Sequence, residues 1–262
     1  MDALGYRFAI QSRESDVIDY FEHIYGGLAT GDRRAAHVYD LSEKGVWLDG
    51  EGLCGCPGPA AQLSQILWHV NQMAAESTGT SHLQLHAAAV AKGDRAILLP
   101  AAADSGKSTL AAGLVHAGFD YVTDELVAID AETGLVTPYP KPISIDPGSW
   151  QVLAHMRPEV SDSLSGYAES QWQIAPDRVA SSCRPMFVVF PGYEEGAATS
   201  LEPMRRAVAM VALAENSFNF VASGRRWLPV AADLIRHVGC YRLVVADLDE
   251  ATALLSELPW PA

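Results

Sequence analysis

Hydrophobic positions along the chain follow different patterns before and after residue 80, and the difference predicts two domains. In the first part, extended segments such as Tyr6–Gln11 accompany a helical pattern over Ser15–Tyr25, where apolar residues recur every three or four positions. A second helical pattern ends in the short polar stretch ESTGTS, which is typical of a linker. We therefore predict a small α+β N-terminal domain over residues 1–80 and a second domain over residues 81–262.

The second domain begins with a pattern that predicts a strand, a second strand, a loop and a helix in direct succession. HLQLHAAAV and AILLP are apolar runs on either side of a Lys92-Gly93-Asp94 turn, which predicts two adjacent strands. A helical pattern begins at Lys107 and ends near His116, before Gly118. Short apolar runs and helical patterns alternate through the rest of the chain, so we predict an α/β fold.

The segment between the second strand and the helix, AAADSGKST, ends like a phosphate-binding loop. The usual form is G-x-x-x-x-G-K-[ST], in which backbone N–H groups and the helix N-terminus face the phosphates. Lys107 would reach the β- and γ-phosphates, and the Ser108 hydroxyl would hold Mg²⁺. The residues predicted to contact the nucleotide are Ala101, Ala102, Ala103, Asp104, Ser105, Gly106, Lys107, Ser108 and Thr109.

Two residues of this loop depart from the usual form. Ala101 replaces the first glycine, which is tolerable if its backbone angles are ordinary and costly if φ is positive. Asp104 brings a carboxylate that would repel phosphates unless it points outward or meets a metal. The alternative interpretation is a strand-to-helix turn whose helix merely begins with GKST.

Candidate partners for the loop are an acidic pair and a histidine. Asp124 and Glu125 follow the strand FDYV, and a carboxylate at the C-terminal end of that strand would face the phosphate site. Alternation along HLQLHAAAV puts His82, Gln84 and His86 on one face of a strand. We expect His82 to meet solvent, whereas His86 lies nearer the loop and could touch a phosphate or a carboxylate.

These residues together resemble a known family. His86, the loop at 101–108, the strand FDYVTDELV and the segment PYPKPISI resemble the C-terminal kinase domain of HPr kinase/phosphorylase, and resemble its short, kinase-only relatives even more. Some of those relatives phosphorylate a serine of a ribosomal peptide such as a lasso-peptide precursor. The resemblance covers roughly residues 83–254 and implies a P-loop kinase core that uses ATP and Mg²⁺.

The resemblance also implies roles for individual residues. Lys107 would bind phosphate, and Ser108 and Asp124 would bind Mg²⁺. Both acidic positions are Asp in the bifunctional enzyme, so the choice between Asp124 and Glu125 as general base stays open here. His86 would lie near the acidic pair and the transferred phosphate. The glycine-rich segment linked to the phosphorylase reaction is absent from the sequence, so we expect no phosphorylase activity.

Composition and charge exclude several other classes of protein. The chain carries 18 basic and 32 acidic residues, a net charge of −14, and no Lys/Arg cluster, which argues against nucleic-acid binding. No signal peptide and no apolar stretch of about 18 residues is present, so we expect a cytoplasmic protein without a membrane partner. Its four cysteines are too few for a disulfide framework.

We therefore predict an ATP-dependent kinase that transfers the γ-phosphate to a hydroxyl, with serine favoured, of a peptide, a protein or a small molecule. The alternative is a nucleotide-binding regulatory module with little or no catalysis. A third option is a degenerate P-loop scaffold that binds only a partner. Residues 1–80 would recognise the substrate, and the oligomeric state stays open, with a homodimer as one option.

Overall fold

A computed structural model of the protein describes residues 1–31, 34–160 and 170–260. Its strands are β1 (Asp2–Ala3), β2 (Tyr6–Gln11), β3 (His37–Ser42), β4 (Gly45–Leu48), β5 (Glu51–Cys54), β6 (His82–Lys92), β7 (Arg95–Pro100), β8 (Asp120–Thr123), β9 (Leu126–Asp130), β10 (Val136–Thr137), β11 (Ile143–Ile145), β12 (Trp172–Ile174), β13 (Arg184–Tyr193), β14 (Ser200–Pro203) and β15 (Gly239–Val245). Its helices are α1 (Ser15–Ile24), α2 (Pro59–Thr78), α3 (Lys107–His116), α4 (Arg206–Glu215), α5 (Phe220–His237) and α6 (Leu248–Ser256).

Contacts divide the chain into two compact units. One unit combines Met1–Thr78 with Tyr139–Asp177, and the other combines Gly79–Pro138 with Arg178–Ala262. The first boundary lies two residues from the predicted one, but the segment after Pro138 groups with the first unit, whereas the sequence analysis assigned it to the second. Contacts distant in sequence decide this grouping: the Tyr139 hydroxyl, for example, donates to Asn71 at 2.6 Å.

The first unit contains a five-stranded sheet in the order β1-β2-β3-β4-β5. β2 and β3 are parallel, and the other neighbours are antiparallel. β11 and β12 form a separate antiparallel pair. α2 continues to Thr78, so the first half of the stretch predicted as a linker is helical. The structure also joins Cys54 to Cys56 by a disulfide bond, which the sequence analysis did not predict.

The second unit is a mixed α/β structure built on one sheet, in agreement with the predicted class. The described strands follow the order β10-β9-β6-β7-β13-β15-β14, and β8 also pairs with β6. β7, β13 and β15 are parallel to one another, and β6 is antiparallel to β7. The predicted strands around the Lys92-Gly93-Asp94 turn and the predicted helix from Lys107 to His116 are confirmed.

Helices cover both faces of this sheet because successive residues of its strands point to opposite sides. Along β7, Ile97 and Leu99 belong to a buried cluster with residues of α3 and α6. Leu98 points the other way, into a cluster with residues of α4 and α5. α3 and α6 pack closely at Gly113, where an added Cβ would lie 2.9 Å from a Leu248 methyl carbon. Of the described helices, none combines the length and the hydropathy needed to cross a membrane.

Candidate functional site

The register of the sheet brings the loop and the acidic pair to the same stretch of β6. Pro100, the last residue before the loop, pairs with Ala87, and Thr123, the last residue before the acidic pair, pairs with Ala89. β7 and β8 are both antiparallel to β6, so they run in the same direction and their C-terminal ends meet at one edge. The loop and the acidic pair therefore lie beside the same stretch of β6, on opposite sides of it.

Backbone hydrogen bonds hold the two segments next to His86. The Ala101 N–H donates to the His86 carbonyl at 3.4 Å, and the Ala87 N–H donates to the Glu125 carbonyl at 3.3 Å. β8 and β9 pair with successive parts of β6, and Asp124 and Glu125 form the bend between them. The backbone therefore places His86, the loop and the acidic pair close together, as predicted.

The loop conformation explains how the chain tolerates its two unusual residues. Ala101 has no positive φ and is 7% exposed, so its methyl group is accommodated without backbone strain. Asp104 is exposed and has a φ of 59°, in the left-handed region that favours glycine. Gly106 has a φ of 83° and is the residue from which α3 begins. Of the two unusual residues, only Asp104 therefore occupies a backbone conformation that favours glycine.

One polar group in the loop is buried without a partner. Among the described residues, the Ser105 hydroxyl has no hydrogen-bond partner, and the oxygen is shielded from solvent. A buried hydroxyl without a partner costs about 1–3 kcal/mol. A ligand that accepted a hydrogen bond from this group would remove that cost.

Lys107 is buried behind the loop. Its side chain is 6% exposed, and its ammonium donates to the Ala102 carbonyl at 2.6 Å. Burial lowers the pKa of Lys107, and the carboxylates of Glu125, Asp124 and Asp104 oppose that shift. The lysine predicted to bind phosphate therefore lies in a field of negative charge and is held within the loop.

The two carboxylates differ in their surroundings. Asp124 is 1% exposed and accepts a 2.7 Å hydrogen bond from the Tyr121 hydroxyl. The side chain of Glu125 is 42% exposed, and its carboxylate lies 3.7 Å from His86 Nε2. Burial lowers the pKa of His86, Lys107 lowers it further, and Glu125 opposes both. Asp124 is thus fixed inside the protein, whereas Glu125 can be approached from solvent.

The polar face predicted for β6 is less exposed than the sequence analysis expected. Gln84 is 4% exposed, and the side chain of His82 is 14% exposed. The His82 Nε2 atom lies 3.2 Å from the Thr137 hydroxyl. The connection between α4 and α5 bonds to the edge of β6 at these residues; for example, the Asn219 amide donates to the His82 carbonyl at 2.9 Å. The prediction that His82 meets solvent was therefore wrong.

Phe218, in that connection, is a neighbour of the site that the sequence analysis missed. Its ring centroid lies 5.4 Å from that of His86, at an interplanar angle of 45°. The surrounding run NSFNF contains no recognisable motif, and it lies 132 residues after His86 in the chain. Only the tertiary structure brings these two rings together.

The donor set fits a magnesium ion that is shared with a phosphate ligand. No three His, Cys, Asp or Glu side chains of the described residues form a metal site by themselves. Magnesium in phosphoryl-transfer sites commonly takes one or two carboxylates and completes its shell with phosphate oxygens and water. Asp124 and the Ser108 hydroxyl are groups of the required kind.

No family model and no curated protein matches the chain. Among solved structures, the HPr(Ser) kinase/phosphatase from Coxiella burnetii is similar over 66% of this chain and 91% of that chain, with 11% sequence identity and a TM-score of 0.32.

Proposed function

We propose that the protein is an ATP-dependent phosphotransferase that phosphorylates a hydroxyl group, with serine as the favoured acceptor. The observation that carries the proposal is the grouping around one glycine-containing loop at a helix N-terminus. Lys107 is buried at the start of the helix that follows the loop, and the pairing of β7 and β8 with β6 brings the loop and the acidic pair to the same stretch of the sheet. His86 Nε2 lies 3.7 Å from the Glu125 carboxylate.

The geometry suggests separate roles for the two carboxylates. Asp124 is buried and hydrogen-bonded, so it suits a fixed ligand for Mg²⁺, together with the Ser108 hydroxyl. Glu125 is accessible, so it suits the group that accepts the proton of the incoming hydroxyl. The acceptor oxygen would bond to the γ-phosphorus, the bond from phosphorus to the bridging oxygen would break, and ADP would leave.

Lys107 would act by charge and must first change its hydrogen bonding. Its ammonium is bound to the Ala102 carbonyl, so contact with a phosphate requires that this bond be exchanged or shared. Phosphoryl transfer depends mainly on positioning and on neutralising charge at the transferred group. The Lys107 ammonium would supply that charge at the transferred group.

A regulatory nucleotide-binding module is the second candidate. Asp104 favours it, because nothing in a transfer reaction requires a carboxylate in the loop, and its charge would oppose close positioning of the transferred phosphate. This candidate predicts that ATP binds without subsequent transfer to an acceptor.

Calorimetric titration with ATP and Mg²⁺ tests ATP binding, which both candidate functions require. We expect wild type to bind ATP and Lys107→Met to bind at least tenfold more weakly. The exposed residue Lys44 provides the matched control Lys44→Met, which should bind ATP as wild type does. Equal affinity in wild type and Lys107→Met would contradict a role for the loop.

Glu125→Gln distinguishes the kinase from the module. If Glu125 accepts the proton, the variant should bind ATP normally but lose at least 100-fold in transfer to acceptor peptides, because general bases contribute rate factors of about 10²–10⁴. Unchanged transfer in this variant would remove Glu125 from the mechanism.

A further inference from the structure

The connection between α4 and α5 is fixed to β6 beside the candidate site. The His86 N–H donates to the Asn216 carbonyl at 2.7 Å, and the Phe218 N–H donates to the Gln84 carbonyl at 3.0 Å. The Ser217 hydroxyl donates to the same Gln84 carbonyl at 2.7 Å. These bonds hold the backbone of Phe218 beside β6, and its ring lies next to the His86 imidazole.

Phe218 presents more apolar surface than its contact with His86 uses. The residue is 51% exposed although its ring lies against the imidazole. Val221, three residues later, is 92% exposed. Exposed apolar side chains are common individually, but the Phe218 ring lies against His86 and is therefore placed to contact a ligand of the candidate site.

Two cations follow this apolar surface in the chain. Arg225 and Arg226 are exposed and follow Val221 along α5, and neither has an ion-pair partner within the described residues. The chain as a whole carries a net charge of −14. Two adjacent cations without a carboxylate partner in such a chain are suited to acidic groups on a partner.

We propose that Phe218 and Val221 form an apolar subsite for the acceptor. The acceptor is a peptide with an apolar side chain one or two residues from its hydroxyl residue and with an acidic residue farther along, toward Arg225 and Arg226. This inference rests on the proposed phosphotransferase function and adds the class of substrate.

The distances determine the spacing between the hydroxyl and the apolar side chain. The Glu125 carboxylate lies 3.7 Å from His86 Nε2, and the imidazole lies 5.4 Å from the Phe218 ring, centroid to centroid. An extended peptide advances about 3.3–3.6 Å per residue. A hydroxyl held at Glu125 therefore brings the first or second neighbouring residue to the Phe218 ring.

A library of synthetic peptides tests the proposal. Each peptide carries a central serine, and the three positions on either side are varied one at a time. With radiolabelled ATP, we expect Leu, Val, Met or Phe at the first or second neighbouring position to raise kcat/KM about tenfold over Ala. Asp or Glu two to four positions beyond the apolar residue should raise kcat/KM further at low salt, and less at high salt.

Variants at Phe218 separate a direct contact from a general loss of structure. Phe218→Ala should reduce the preference for an apolar neighbour to less than twofold, and Phe218→Leu should retain most of it. The preference is a ratio of two rates, so partial unfolding of the enzyme leaves it unchanged. Leu228→Ala, at another exposed apolar position of α5, is the matched control and should keep the full preference.

The outcomes distinguish this inference from the function on which it rests. Failure of wild type to bind ATP would overturn both. ATP binding with no phosphorylation of any peptide, or phosphorylation without an apolar preference, would overturn the peptide subsite alone. A preference that survives Phe218→Ala would also overturn it.

Discussion

Replacement of Asp104 should separate the conformational and electrostatic effects of the unusual residue in the loop. Its φ of 59° lies in the left-handed region, which costs an ordinary L-residue about 1–2 kcal/mol and costs Asp somewhat less because its side chain can bond locally. Gly removes this strain, although its greater freedom in the unfolded chain costs about 0.5–1 kcal/mol. We therefore expect Asp104→Gly to be about 1 kcal/mol more stable than Asp104→Ala.

The charge of Asp104 should act on nucleotide affinity separately from this strain. Asn tolerates the left-handed region about as well as Asp does, so Asp104→Asn changes the charge and little else. Two unit charges about 8 Å apart interact by roughly 2 kcal/mol at an effective dielectric constant of 20, and salt at about 0.15 M reduces this to below about 1 kcal/mol. We expect Asp104→Asn and Asp104→Gly to bind ATP about three- to fivefold more tightly than wild type.

Thermal unfolding and calorimetric titration measure the two effects independently. The expected stability difference corresponds to about 2 °C in Tm between the Gly and Ala variants for a chain of this length. The affinity gain should shrink at high salt, since Asp104 is exposed. Weaker ATP binding by Asp104→Asn would refute the reasoning, because the carboxylate would then assist binding, as it would if it met the metal.

Three further predictions concern polar groups of the candidate site. Ser105→Ala should stabilise the free protein by about 1 kcal/mol and weaken ATP binding. Thermal shifts with and without ATP would measure both effects, and unchanged ATP binding would contradict a contact between Ser105 and the ligand. Because the pKa of His86 is lowered in the folded protein, its contribution to the free energy of unfolding is present above about pH 6.5 and is lost as pH falls. Urea titrations from pH 7.5 to 5 should therefore show a smaller loss of stability for His86→Asn than for wild type. Equal losses in the two proteins would contradict this. Tyr121→Phe removes a donor from buried Asp124 and should cost about 1.5–3 kcal/mol in urea unfolding, so a cost below about 0.5 kcal/mol would show that this hydrogen bond contributes little.

Local sequence was sufficient for the strands, the loop and the first helix of the candidate site. Apolar runs on either side of a turn predicted β6 and β7, and the GKST run predicted the start of α3. These features depend on neighbours within a few residues, so they can be derived without the fold. The proximity of Asp124 and Glu125 to the loop was predictable as well, because chain direction determines which strand ends meet.

The surroundings of individual side chains required the tertiary structure. Sequence could not distinguish an exposed Glu125 from a buried Asp124, although the Tyr121 donor lies only three residues away in the chain. It also placed His82 in solvent, because the segment that bonds to β6 there lies far away in the chain. The division into two units could not be predicted from local sequence either. The segment Tyr139–Asp177 groups with residues that precede it by more than 60 positions.

The sequence by itself determined the local elements, the order of the loop residues and the chemical groups available to bind phosphate and metal. The tertiary structure decided that Ala101 is unstrained, that Asp104 occupies a left-handed position and that Phe218 lies against His86. The physical reason is that periodicity and motifs report interactions between near neighbours in the chain. Burial, backbone strain and contact between distant residues arise only when strands pair and helices pack.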